Sequence, residues 1–470
     1  MVTFTELANE DEARKALTGL LLPAFDSERE KLNRIDRWWR WNPKPIRLKK
    51  ATAEHRMLRD MGHTPWLHLV VTTLAQTLYL EGVDIPGDDE QGSRAKAFWE
   101  PWNRSRMSAN QIALHQAAIA YGTAYTAVRA VESVGNGVQS SISCVSPREG
   151  IALYDDPAKD TFPQLFMRQH PLRKDVVAFE LWDAWNVWTW TKDASGIHFG
   201  DVTPHLAVDS GGNPVCPIVR FTNQLDLEGR APGEVEPFIA LANRLNKDNY
   251  DRLLSQHHNS WKVRTATGLD MDDVSEAERE QRKAILAQDD ILVGGADVKF
   301  GTLPETVLDS LIAARQADVE ELAAVSQTPT TAFGKMVNVG DAGIEESRAG
   351  FYAKRNERRK NFGVSHLDTL RLCAAIEGRM DDASAFNLTA LWEDTDTRTM
   401  SAAVDALGKA AQMLGVPSEQ LWDMIPGVTK TRADSWRQWK QEHPDVDALA
   451  LEAYGSQLRT TTPDDPNAGA

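Results

Sequence analysis

Carboxylates able to hold a metal, histidines able to ligate one, lysines able to reach a phosphate and serines able to attack a carbonyl all occur in this 470-residue chain. Their spacing argues against each chemistry in turn. Tyr154-Asp155-Asp156 has the adjacent acids of a polymerase-type metal motif, but neighbouring residues of a strand point to opposite faces and no partner carboxylate is identifiable. A turn or strand end is the expectation there. Asp270-Met271-Asp272-Asp273-Val274-Ser275 begins like a calcium loop, yet lacks the glycine at the sixth position and the glutamate at the twelfth. Acids placed so suit a helix N-terminus, where the dipole favours anions. His257-His258 are adjacent, so they share no helix face, and neither HExxH nor a cysteine accompanies them. Gly334-Lys335-Met336 and Gly408-Lys409-Ala410 lack the upstream glycine and the following Ser or Thr of a phosphate loop. No GxSxG elbow is present. The expectation is a protein with no catalytic residue, metal or cofactor, and not an enzyme.

The elements around these residues point to geometry. From Glu234 to Gly378 two helix-length segments flank a compact insert, and a Gly-rich loop then leads into one long polar helix. The first segment runs from about Glu234 to His257, with Phe238, Leu241, Ala242 and Leu245 on one face. The insert reads as strand Trp261–Thr267, helix Met271–Ala287 and strand Ile291–Phe300. The second segment spans Pro304 to Val325, with proline tolerated in its first turn. Ser326 to Gly343 is broken by Pro329, Gly334, Gly340 and Gly343, and a helix restarts near Ile344 and reaches Glu377, with a possible kink at Gly363. Two antiparallel helices with an excursion at one end and a loop at the other make a rod, useful when many copies stand around a channel.

Before the rod, helical patterns cover Asp11–Trp41, ended by Asn42-Pro43-Lys44-Pro45, then His55–Leu80, Ala95–Arg104 and Ser108–Gly122, the last with Ser108 as N-cap. Between Thr123 and Phe221 the period shifts toward two, giving strands at Thr123–Val131, Val138–Val145, Gln164–Arg168, Val176–Leu181, Trp185–Thr191 and Ile197–Val202, with Pro217–Asn223 as the last. After the long helix, Ala383–Trp392 reads as a strand returning to the β body. Helices follow near Arg398–Leu414, Ser418–Met424 and Ala433–His443. The fold class is α+β with several domains.

A net charge of −16 repels nucleic acid at long range, which argues against tight general DNA binding but suits a surface past which DNA slides. No run of eighteen apolar residues is present, so no membrane span is expected. The N-terminus lacks a secretory pattern, and a cytoplasmic chain is the default. Three scattered cysteines, Cys144, Cys216 and Cys373, suit core positions. Fifteen tryptophans, four of them at Trp182, Trp185, Trp188 and Trp190, fill cores or anchor interfaces.

Several local phrases, in this order, resemble portal proteins of tailed bacteriophages, particularly Gp6-like portals of phages infecting Gram-positive bacteria and actinobacteria. They are Ala120-Tyr121-Gly122-Thr123-Ala124-Tyr125, Val145-Ser146-Pro147-Arg148 followed by Tyr154-Asp155-Asp156, Pro214–Asn223 feeding the first rod helix, and SQTPTTAFG followed by Glu345-Glu346-Ser347. The resemblance covers nearly the whole chain. It implies a homo-dodecameric ring at one capsid vertex through which double-stranded DNA passes, in the virion after assembly in the host cytoplasm. It also implies partners: major capsid protein and scaffold, the large terminase subunit, and head-completion or adaptor proteins. Carried onto this chain, it implies a wing (1–233), stem helices (234–257 and 304–326), a clip (258–303), a tunnel loop (327–343), a long helix returning to the wing (344–397), a crown (398–454) and a disordered tail (455–470).

Within that frame, Lys335 is the only basic residue of the tunnel loop and, with Met336 and Asn338, a candidate to face DNA; a solvated loop lysine is the alternative. Arg348, Lys354, Arg355, Arg358, Arg359 and Lys360 form a basic run in the long helix, and its arginines Arg348, Arg355, Arg358 and Arg359 are candidates to pair with a neighbour's acidic stem through Glu320 and Glu321. A solvated helical face or phosphate contact are the other uses. Competing identities are a nucleic-acid-processing enzyme with a carboxylate metal site and another minor head or connector protein.

Overall fold

Asn9 opens the first helix, α1 (Glu10–Ala16), by accepting the Glu12 N–H at 3.0 Å, and Glu12 reaches back to the Ala8 N–H. The computed structural model describes residues 6–48, 52–88, 92–133, 137–260, 264–267, 299–302, 307–334, 341–395, 400–425, 427–428 and 430–443. Instead of one continuous helix to Trp41, a π-helical turn, Leu17–Leu21, joins α1 to α2 (Leu22–Trp39). Pro23 lacks the N–H that would reach back to the Gly19 carbonyl, so the regular ladder cannot run through that point.

The second expected helix is also divided, into α3 (Ala53–Met61) and α4 (Trp66–Ala75), because the chain turns through Gly62 to Pro65. Leu80 is not helical but begins a strand, β1 (Leu80–Asp84). Gln111 holds it there by accepting the Leu80 N–H and donating to the Leu80 carbonyl. Helices α5 (Ser93–Arg104) and α6 (Met107–Tyr121) follow. Ser108 is not the cap of α6; Arg106, in the left-handed region at φ 53°, occupies that position.

The strands expected between Thr123 and Asn223 are all present, and one more, Gly150–Leu153, was not expected. Strands β2 (Thr123–Ser133) and β3 (Gly137–Val145) form a hairpin, and β2 also pairs with β9 (Ile218–Thr222). Strands β4 (Gly150–Leu153), β5 (Leu165–Arg173), β6 (Val176–Trp182), β7 (Asn186–Asp193) and β8 (Gly196–Pro204) make an antiparallel meander in chain order. Tyr125, Val145 and Ile218 meet Phe166, Trp182 and Val187 in a core between the two sheets. Leu7, Leu17, Leu21 and Phe25 cover Leu165, Phe179, Trp188 and Trp190 of the five-stranded sheet. Each such large side chain contributes about 1.5–3 kcal/mol by leaving water. Three of the four clustered tryptophans are therefore core residues, while Trp185 stays 47% exposed.

The rod region consists of a 3-10 turn at Glu236–Phe238, α7 (Ile239–Ser260), a strand pair β10 (Arg264–Thr267) and β11 (Lys299–Thr302), and α8 (Asp309–Val325). The expected insert helix at Met271–Ala287 lies outside the described residues. Helix α9 (Asp341–Ile376) is one unbroken segment of 36 residues, about 54 Å long, starting three residues earlier than expected. Its Gly363 lets β12 (Thr389–Trp392) approach, since a Cβ there would lie 3.3 Å from the Ala390 Cβ. Strand β12 pairs with β1 rather than with the main sheets. A short α10 (Met380–Ala383) precedes it. The largest core gathers α2, α4, α5, α6, β1, β2, β9 and α9 through residues such as Ile35, Leu74, Trp102, Leu114, Phe221, Phe362 and Leu370.

Met1–Glu393 forms one compact unit and Asp394–Ala470 a second. In the second, α11 (Met400–Leu414) is followed by 3-10 turns at Ser418–Gln420 and Trp422–Met424 and by α12 (Lys430–Glu442). Trp422 meets Trp436 edge-on, and Arg437 pairs with Asp423 at 3.2 Å. The tail expected to be disordered lies outside the described residues.

Candidate functional site

The helical hairpin leaves and re-enters the body at one buried ionic cluster. Its entry is set by two glycines. Gly122, at φ 102°, and Gly233 pass so closely that a Cβ on Gly122 would stand 1.9 Å from the Ala231 carbonyl oxygen, and one on Gly233 2.4 Å from that of Ala120. Only glycine allows this crossing. It lets the Glu234 N–H donate to the Ile119 carbonyl at 2.7 Å and the Asn223 N–H to that of Gly122 at 2.9 Å. Glu234, expected as the first residue of the rod helix, is instead a buried carboxylate just ahead of it.

That carboxylate accepts from Lys354 Nζ at 2.7 Å and from Arg358 Nη2 at 3.0 Å. Arg358 Nε donates to Asn223 Oδ1 at 2.6 Å, and Asn223 Nδ2 donates to the Pro232 carbonyl at 3.0 Å. Lys354 also donates to the Ser326 carbonyl, 2.9 Å away, at the end of α8. Burial pushes the Glu234 carboxyl up, but Lys354 and Arg358 outweigh it and hold the group below the ordinary carboxylate range.

Along the hairpin, Arg244 of α7 pairs with Asp318 at 2.7 Å and with Glu321, both on α8. The Asp248 carboxyl is raised by burial and by its neighbour Asp318, so acid accumulates along this pair of helices. Beyond Ser326 the chain makes a 3-10 turn at Thr330–Phe333, with Phe333 against Trp66 at 5.6 Å between ring centres, and Gly334 in the left-handed region.

A second buried pair fastens α6 to α9. His115 and His366 meet Nε2 to Nε2 at 2.8 Å, and His115 Nδ1 lies 2.9 Å from the Leu78 carbonyl. A carbonyl only accepts, so His115 Nδ1 carries the proton, its Nε2 accepts, and His366 donates. His366 Nδ1 is then bare and has no hydrogen-bond partner. Burial pushes the His115 imidazole down to about 4 and that of His366 well below its ordinary value. The two residues lie 251 apart in sequence, and neither was singled out before.

The sequence candidates are distributed as follows. Lys335, Met336 and Asn338 lie outside the described residues. Glu321 is committed to Arg244, and Glu320 accepts from Gln316 at 3.2 Å. Arg348 is partly exposed. Arg355 is 8% exposed and lies over the Tyr352 ring. Arg359 donates to the Thr77 and Glu393 carbonyls. Arg358 is a correction: at 0% exposure, held by Glu234 and Asn223 of its own chain, it has no surface to offer a neighbouring subunit.

The acids and hydroxyls of two further turns serve the turns themselves. Asp156 accepts from the Ala158 N–H and pairs with Lys159, as a turn residue does. The β7–β8 turn gathers Asp193, Ser195 and His198, but Ser195 and Asp193 both contact the same ring nitrogen, His198 Nε2, at 2.8 and 3.2 Å. A hydrolytic triad needs the acid on the other nitrogen. Among the described residues no group of three or more His, Cys, Asp or Glu could hold a metal, and no helix is long and apolar enough to cross a membrane.

The described residues combine a three-stranded and a five-stranded antiparallel sheet, a helical hairpin and one 36-residue helix to which both roots of the hairpin are joined. The family model "Phage portal protein, SPP1 Gp6-like" matches residues 20–446, and the chain belongs to that family. It is a non-enzymatic virion component, and its family forms an oligomeric ring in the capsid. A solved neck of an empty GTA particle, computed with C6 symmetry, is similar over 80% of this chain and 96% of that chain, at 11% identity and a TM-score of 0.43. No curated protein matches the chain.

Proposed function

We propose that the chain is one subunit of a homo-dodecameric portal ring of actinobacteriophage type, forming the channel at the capsid vertex for packaging and ejecting double-stranded DNA. The observation that carries this is the paired α7 and α8, with a strand pair between them and both roots joined to α9. Helices α7 and α8 are the stem, residues 258–303 the clip that docks the large terminase subunit and later the head-completion or adaptor protein, and 327–343 the tunnel loop. Residues 1–233 are the wing and 398–454 the crown, facing the major capsid protein, the scaffold and packaged DNA.

The acidic hairpin supports a channel wall to which phosphates do not adhere. Every strong phosphate contact would add salt-dependent friction to a sliding duplex. Lys335, with Met336 and Asn338 after it in the loop, supplies the transient backbone contact in this account. Arg348 is the subunit-contact candidate that suits the geometry best, with Arg355, Arg359, Glu320 and Glu321 engaged within the chain. A photo-cross-linking residue at Lys335 should capture DNA in filled heads, and one at Phe199 on β8 should not. Equal capture at the two sites, or none at Lys335, would overturn the assignment of the loop to the channel.

A further inference from the structure

The end of α8 has the hydrogen bonds of a Schellman motif. The Thr328 N–H donates to the Ala323 carbonyl at 3.0 Å and the Gln327 N–H to that of Ala324 at 3.2 Å. The residue between helix and exit must then be left-handed, and here it is Gln327, at φ 51°. The end of α9 shows the usual solution within the same chain. Arg379 N–H donates to the Ala374 carbonyl and Gly378 N–H to that of Ala375, with Gly378 at φ 77°. A side chain at that position costs about 1 kcal/mol that glycine avoids. Something outside α8 must hold its exit.

The Ser326 carbonyl sits at that exit in a residue only 1% exposed, and its tertiary donor is Lys354 Nζ. The same ammonium bonds Glu234, where the hairpin begins. A cation against the last carbonyl also complements the negative end of the α8 dipole. Ser326 Oγ and Thr328 Oγ1 are 2.9 Å apart beside it, both buried.

We infer that Lys354 is a positioning residue: one ammonium ties the departure of the hairpin to its return, and so fixes where the segment 327–334 starts relative to α9. The root of the hairpin then follows α9 as one body. Displacement of the insert is passed to α9 instead of being taken up at the end of α8. The consequence for the channel rests on the reading of 327–343 as the tunnel loop.

The test is amide hydrogen exchange on the assembled full-length protein, comparing wild type with Lys354→Met. Exchange across Gln327–Gly334 is expected to rise about tenfold while Leu367–Ile376 in α9 keeps its protection. No change at Gln327–Gly334 would overturn the inference, as would an equal rise at Leu367–Ile376, which marks general loosening. If Lys354→Met does not fold, Lys354→Gln keeps an N–H for the Ser326 carbonyl without the charge. It should give a smaller rise confined to the same segment, and an unchanged segment would again overturn the inference. No DNA enters this measurement, so its failure removes the clamp and leaves the channel assignment standing. A failed cross-link at Lys335 does the reverse.

Discussion

Acid should loosen the junction between α6 and α9 through the His115–His366 pair. The unfolded chain takes a proton on each imidazole near the ordinary value of 6.5, whereas burial holds folded His115 down to about 4. The folded value is depressed, so the unfolded state binds more protons across that interval. The stability His115 contributes is fully present above 6.5 and is lost as the pH falls toward 4. Between pH 7 and pH 5 the loss from His115 alone is about 2 kcal/mol. His366 is held lower and has only the bare Nδ1 to take a proton in the core, so it adds loss in the same direction. The control is a double variant, His115→Gln with His366→Leu, in which the Gln amide keeps a donor for the Leu78 carbonyl and nothing at the junction titrates. Urea unfolding at a series of pH values, followed by tryptophan fluorescence, should show wild type losing at least about 2 kcal/mol more than the double variant over that range. Equal slopes for the two proteins would refute the lowered titration of the pair and its role at the junction.

Other substitutions probe the same framework. Gly122→Ala forces a Cβ into the Ala231 carbonyl at a left-handed φ, and should cost more than about 3 kcal/mol, read as a large drop in thermal midpoint. Glu234→Gln leaves Lys354 and Arg358 buried without their carboxylate, and the loss should be about 3–5 kcal/mol by chemical denaturation. Ser195→Ala, on an exposed turn, should shift stability by less than about 0.5 kcal/mol. Ester or phosphodiester hydrolysis present in wild type and abolished in that variant would revive the enzyme reading.

What could be read in the chain depended on how local its cause was. Most strands of the β body announced themselves because alternation and turn residues act within ten residues, whereas β4, only four residues long, is too short to show an alternation and was missed. The end of α9 was visible in Gly378 for the same reason. Strand β1 was missed because LEGVD follows a helical pattern directly, and what makes it a strand is Gln111 and the distant β12. The basic run of α9 read as outward-facing, toward a neighbouring subunit or toward solvent, since charged residues in helical spacing normally are. Only the crossing of Gly122 and Gly233, which puts Glu234 beside Lys354 and Arg358, turns part of that run inward. The histidine pair left no sequence signal, as neither residue has a partner within its own helix. The resemblance in element order carried the functional reading where single residues could not.

The central claim is a ring with a channel. Purified full-length protein should be measured by native mass determination together with negative-stain microscopy, at several salt concentrations. The account predicts closed rings with a central channel and a mass that is a whole multiple of the 52.3 kDa chain, twelvefold if the ring is the proposed dodecamer. A compact monomer under every condition would contradict it.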